Sequence, residues 1–155
     1  MSTADPLTLV IDTNVVLDLF IYEDPATVPL REVLAEPSTS WLATDVMREE
    51  LRRVLAYPHV VRQMAARDRS AEAVLAAFDA RAQIVNTAPK APYTCKDGDD
   101  QKFIDLAVAH TAVLLSKDKA VLCMTKRLAR LGVRVIRSWA PTTPAPFNTT
   151  NEITA

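Results

Sequence analysis

The sequence predicts an α/β protein, a three-layer α/β/α sandwich with a central parallel sheet. Three observations point there. Leu7–Ile11 reads as a continuous apolar run and residues 112–116 as an interior strand, as in strands buried on both faces. Stretches with helical spacing separate the strand candidates, as parallel crossovers require. Four acidic residues, Asp12, Glu50, Asp100 and Asp118, stand where apolar strand gives way to helix. In an open α/β sheet the C-terminal strand ends face the ligand crevice.

Each element follows from local chemistry. Residues 7–11 form the first strand, and a short helix is expected at 14–20. Residues 22–29 hold two prolines and read as loop before a helix near 30–36. Pro37-Ser38-Thr39 breaks that helix, and 40–43 is a second short strand. Thr44 or Asp45 is a good N-cap for a helix running to Tyr57, where Pro58 stops it. Residues 59–66 and 70–82 read as helices, the second capped by Ser70. Residues 83–87 form a weak strand. Residues 88–98 carry Pro89, Pro92 and Gly98 and read as loop. A helix is expected at 99–111, capped by Asp97 or Asp99. The clearest interior strand is 112–116. One helix is expected over 119–131, with Gly132 at the usual C-terminal position. Residues 133–136 make a last strand, and the proline-bearing tail from Pro141 is expected to be loose.

The 155 residues fit one domain of ordinary size, and 49 % hydrophobic residues supply a core. Met1-Ser2-Thr3-Ala4-Asp5-Pro6 lacks the basic start of a secretion signal. No apolar run approaches the roughly 20 residues of a membrane span, so no membrane partner is expected. Cys95 and Cys123 lie far apart in no metal-like spacing. They read as free thiols, with a cytoplasmic setting expected. Net charge is −1, so no global basic field advertises nucleic acid. Residues 1–100 hold 10 Lys/Arg against 16 Asp/Glu, and residues 101–155 hold 8 against 3. One basic face for phosphates would explain this. A solvated amphipathic helix at 119–131 would explain it equally well.

An aspartate at a helix start is most often only a cap, so helical geometry has to sort the acids. At about 100° per residue, Phe103, Ile104, Ala107 and Val108 form one stripe. Asp100 projects into it, Asp99 lies at its edge and Asp105 opposite. A carboxylate aimed at the core side needs a partner, because burying it unpaired is costly. Likewise Val46, Met47, Leu51, Val54 and Tyr57 mark a buried face that includes Glu50. Glu49 points outward, where Arg53 could pair with it; it would replace Glu50 only if the helix register were different. Asp12 and Asp118 directly follow buried strands. Carboxylates gathered at strand ends repel one another unless a cation neutralises them. Oxygen ligands of this kind suit Mg2+ or Mn2+.

Four segments together resemble the PIN-domain nucleases. They are Leu9-Val10-Ile11-Asp12-Thr13-Asn14-Val15, Glu49-Glu50-Leu51-Arg52-Arg53-Val54-Leu55, Asp97-Gly98-Asp99-Asp100-Gln101-Lys102-Phe103 and Leu114-Leu115-Ser116-Lys117-Asp118. The subgroup they look most like is the VapC-like toxins of type II toxin–antitoxin modules. The resemblance runs from about Leu7 to Trp139, giving a PIN-like nuclease domain over 1–139 and a tail over 140–155. It implies a metal-dependent endoribonuclease with strand order 3-2-1-4-5 and an acidic quartet at Asp12, Glu50, Asp100 and Asp118. It also implies supporting roles for Thr13, Asn14 and Ser116, a cognate antitoxin protein, and a homodimer. Where the family has Gly or Ala before the last acid, this chain has Lys117, expected to point to solvent.

On this reading Asp12, Asp100 and Asp118 are metal ligands. Glu50 would bind a second ion or orient the attacking water. His59 reads as a surface residue and His110 as a packed one. Arg52, Lys96, Lys102, Lys117 and Lys119 are candidates for contact with RNA phosphates. Two other readings compete. A metal-dependent phosphatase of the haloacid-dehalogenase type wants an acid where Asn14 stands. A PIN-like module that binds RNA or protein without cutting has no need of four acids.

Overall fold

A computed structural model describes residues 6–139. The expected tail at 140–155 lies outside the described residues. Five parallel strands form one sheet in the order β3-β2-β1-β4-β5. They are β1 (Leu7–Ile11), β2 (Thr39–Ala43), β3 (Ala82–Ile84), β4 (Val113–Leu115) and β5 (Arg134–Ile136). This is the order the resemblance implied. The register pairs Leu9 with both Trp41 of β2 and Val113 of β4, so β1 is central. Leu9, Val10 and Leu114 are fully buried, which explains their unbroken apolar runs.

The helices before β3 are α1 (Thr13–Leu17), α2 (Val28–Leu34), α3 (Asp45–Val54), α4 (Pro58–Ala66) and α5 (Ala71–Arg81). Those after it are α6 (Gln101–His110), α7 (Lys119–Leu122) and α8 (Thr125–Ala129). Among them α2 packs on β2 and α5 on β3, whereas α6 packs on β1 and β4, and α7 and α8 pack on β5. Right-handed crossovers account for this division: the chain moves one way across the sheet before β3 and the other way after it. The result is the expected three-layer α/β/α sandwich. Trp41 anchors the first layer, stacking on Phe20 at 6.1 Å and meeting Phe78 of α5 edge-on at 5.2 Å. Among the described residues no helix is long and apolar enough to cross a membrane.

Several local expectations need correction. The helix after β1 does not end at Phe20. It widens into a π-type turn, Asp18–Tyr22, that stops where Glu23 adopts φ 47°. The single helix expected over 119–131 is two helices. Thr125 Oγ1 donates to the Leu122 carbonyl at 2.6 Å and Met124 N–H turns back to Val121, so the helical ladder breaks between them. The helix expected to run to Tyr57 ends at Val54, where Ala56 N–H and Tyr57 N–H turn back to Arg53 and Val54, and Pro58 instead opens α4 as its first residue. The weak third strand begins at Ala82, before the expected Gln83. Val46 is exposed although it was expected on the buried face, because α3 rests on the core through Met47 and Leu51. His110, expected to pack, is exposed at the end of α6. Cys95 and Cys123 are free, and both thiols lean on the Ala120 carbonyl.

Candidate metal centre

The site lies where β1 and β4 end side by side. Asp12 N–H donates to Leu115 O at 2.9 Å, clamping the two strand ends. The next residues then leave the sheet as caps. Asp12 caps α1 by accepting from Asn14 N–H at 3.4 Å, and Asp118 caps α7 by accepting from Ala120 N–H at 2.9 Å. Capping explains why each is an aspartate but uses only one oxygen of each.

Ser116 ties the two together. Its hydroxyl donates to Asp12 Oδ2 at 2.7 Å and accepts from Asp118 N–H at 3.1 Å. Ser116 is fully buried and Asp12 is 4 % exposed. Burial pushes the Asp12 carboxyl above its usual range. The bonds from Ser116 and Asn14 act against the rise, and the charges of Glu50 and Asp118 add to it.

A third acid arrives from the opposite layer. Gly98–Asp100 is a tight turn feeding α6, and Asp97 caps it by accepting from Asp99 N–H at 3.0 Å. This delivers Asp100 to the β1–β4 junction with its side chain buried. Asp100 Oδ2 has no hydrogen-bond partner among the described residues. Its pKa is pushed up to about 8, first by burial, then by a side-chain hydrogen bond shared with Asp118, then by the charges of Asp12, Asp118 and Asp97. One carboxylate oxygen from each of Asp97, Asp100 and Asp118 lies within 4.8 Å of the others. Asp97, read from the sequence only as a cap, is thus also a member of the cluster. Its Asp-Gly turn signalled the cap; only the fold shows the second role.

Glu50 comes from α3 and is close enough to raise the Asp12 pKa. It is not free. Lys102 Nζ of α6 stands 2.8 Å from Glu50 Oε1, with both side chains about one-fifth exposed. The ammonium sits off the line a hydrogen bond needs, so that oxygen is unbonded and the attraction is Coulombic. Lys102 also donates to the Asp99 carbonyl and lies over the Phe103 ring. It therefore serves Glu50 and the Asp97–Asp100 turn and is not a loose surface cation. Glu49 points outward as expected, but its partner is Arg52 and not Arg53.

The remaining sequence candidates divide. Thr13 is buried at the start of α1, whereas Asn14 reaches Asp12 through its backbone and has an exposed side chain. Lys117 does not simply point to solvent. Its ammonium pairs with Asp18 at 2.5 Å, and Asp18 is 9 % exposed. Asp105 is neither solvated nor a cap. It accepts from Ala91 N–H and Gln101 Nε2, both at 2.8 Å, and so holds the loop before Asp97.

The donor set is entirely carboxylate oxygen, and it includes a buried oxygen with no partner. Such a set suits a hard divalent cation of the Mg2+ or Mn2+ kind. The family model described as PIN domain matches residues 8–120. That span reaches from β1 into α7 and so includes every acid named above. No curated protein matches the chain.

Proposed function

We propose, from the premise that the chain belongs to the PIN-domain family, that it is an endoribonuclease, the toxin of a type II toxin–antitoxin module. Metal-dependent nuclease chemistry is what the family and the acid cluster support together. The observation that carries the reading is the buried Oδ2 of Asp100, unpartnered among the described residues, in a cluster with Asp97 of its own turn and Asp118 of the β4–α7 junction. An acid whose pKa is pushed up to about 8, first by burial and then by neighbouring carboxylates, marks a place suited to a cation.

Asp97, Asp100 and Asp118 would hold Mg2+ or Mn2+, with Asp12 beside them. A bound divalent ion supplies acidified water and neutralises charge building on phosphate oxygens. The chain's own groups do the rest. Ser116 fixes the Asp12 carboxylate and, through Asp118 N–H, the turn that carries the neighbouring ligand. Glu50, steadied by Lys102, orients the attacking water and takes its proton as the phosphodiester bond opens. Because Lys102 already balances the Glu50 charge, the arrangement favours one tightly held ion over two.

The partners follow from the same reading. RNA is the substrate, and the antitoxin would cover the cleft by presenting a basic side chain to the acids. Val46 on α3 and Tyr57 in the turn before α4, both exposed, would contribute to a homodimer. The expected setting is the cytoplasm, where transcripts and antitoxin meet. The test is incubation of purified protein and Asp12→Asn with a panel of RNAs, in Mg2+, in Mn2+ and in EDTA. Cutting that needs metal and is lost in the variant supports the ribonuclease. Cutting in EDTA, or equal cutting by the variant, overturns it.

A further inference from the structure

At the end of β4 lies a cavity of about 290 Å3, at the lower end of the range for small-molecule sites. Its origin is topological. The helices that follow β4 pack on the far face of the sheet, and on the near face a hollow is left between the end of β4, the segment after β5, and α1, α2 and the turns between them. The hollow is walled by Leu115 at the end of β4, by Lys117, and by Arg137 and Trp139 just past β5. Asp18 and Asp24 also line it. Lys117 stands in the chain between Ser116 and Asp118, so the cavity and the acid cluster share one strand–helix junction.

We propose that this cavity is a nucleotide subsite, taking the base and phosphate of the residue next to the bond that is cut. The proposal rests on the ribonuclease reading and extends it to named residues. Trp139 is half-buried against the core and lines the hollow, and it has no aromatic partner among the described residues. A ring so placed offers the face on which a base stacks, a contact that tolerates any base. Arg137 is exposed and in no ion pair among the described residues, which leaves its guanidinium for a phosphate. Lys117 is held at the wall by Asp18, which acts as its positioning residue. Asp24 spends one oxygen on Ala26 N–H and keeps the other for a ribose hydroxyl or a base amino group. The Asp18–Lys117 ion pair in the wall argues against a purely apolar guest.

Tryptophan fluorescence tests this on the full chain without catalysis. Trp41 is 2 % exposed and shielded, so a ligand in the cavity reports through Trp139. In EDTA, nucleoside monophosphates should quench emission saturably. Nucleoside alone and inorganic phosphate alone should each bind more weakly. Arg137→Gln, an exposed change that spares the fold, should weaken monophosphate binding about tenfold, the loss of one charged hydrogen-bonded contact. Trp139→Leu should raise KM for RNA by a similar factor and leave kcat within about twofold. No saturation with any monophosphate, or unchanged KM in both variants, overturns the subsite. Cutting without nucleotide binding counts against the subsite alone. Nucleotide binding without cutting of any RNA counts against the ribonuclease and leaves the cavity assignment intact.

Discussion

Ser116 Oγ donates to Asp12 Oδ2 at 2.7 Å across the junction of two neighbouring strands. The two residues are 104 positions apart, and the bond is buried. Because the same oxygen accepts from Asp118 N–H, one hydroxyl sets the spacing of both strand-end acids.

Ser116→Ala should therefore damage the site more than the fold. It leaves Asp12 Oδ2 buried without its donor, a cost of about 1–3 kcal/mol in unfolding free energy. Loss of an outer-shell partner typically lowers metal affinity or activity about 10–100-fold. Urea unfolding and kcat on one RNA, measured side by side, check both. A variant with wild-type turnover would mean that this bond does not position the acids.

The metal-free protein should lose stability as pH rises. Asp100 binds its proton at about 8 in the folded chain against 3.8 for the free side chain. Between those values the folded state holds more protons than the unfolded one, so the unfolding free energy falls with increasing pH. Below that interval both states are protonated and the effect vanishes. Asp12 is shifted the same way and adds to the slope. Melting temperatures in EDTA should fall from pH 5 to pH 8, and Mn2+ should restore them most at the upper end. A metal-free curve that rises over that range would contradict the crowding of the acids.

Lys102→Met should tighten divalent-ion binding, because it frees the Glu50 charge. One unit charge at about 4 Å contributes about 1 kcal/mol in water, or about fivefold in Kd. The same variant should cleave more slowly, since Glu50 is no longer steadied. The combined Lys102→Met, Glu50→Gln protein should return to wild-type ion affinity. Calorimetry with Mn2+ on the wild type and the two variants reads this directly. An unchanged Kd in Lys102→Met would mean that Glu50 lies outside the field of the ion.

The central strands were legible because burial on both faces leaves a mark that local sequence carries: Leu9-Val10-Ile11 and Leu114-Leu115 have no polar member. Asp100 was legible for a related reason, since the wheel of α6 turned it toward the core. The break between α7 and α8 was hidden, because it depends on which carbonyl the Thr125 hydroxyl chooses. Asp97 gave a turn signal that masked its place in the cluster. The Lys117–Asp18 and Lys102–Glu50 pairs join residues that periodicity within one element cannot relate. Only the packing of layers brings α6 to α3 and the β4–α7 junction to the turn after α1.

Mn2+ binding to the wild-type chain and to Asp100→Asn, followed by calorimetry at pH 7.5, tests the central claim most directly. The acid cluster as a cation site predicts stoichiometric binding by the wild type. In the variant it predicts affinity at least about tenfold weaker, since one charged ligand is gone, together with a higher melting temperature in EDTA because a crowded carboxylate has been removed. Equal Mn2+ affinity in the two proteins, or none in the wild type, would contradict it.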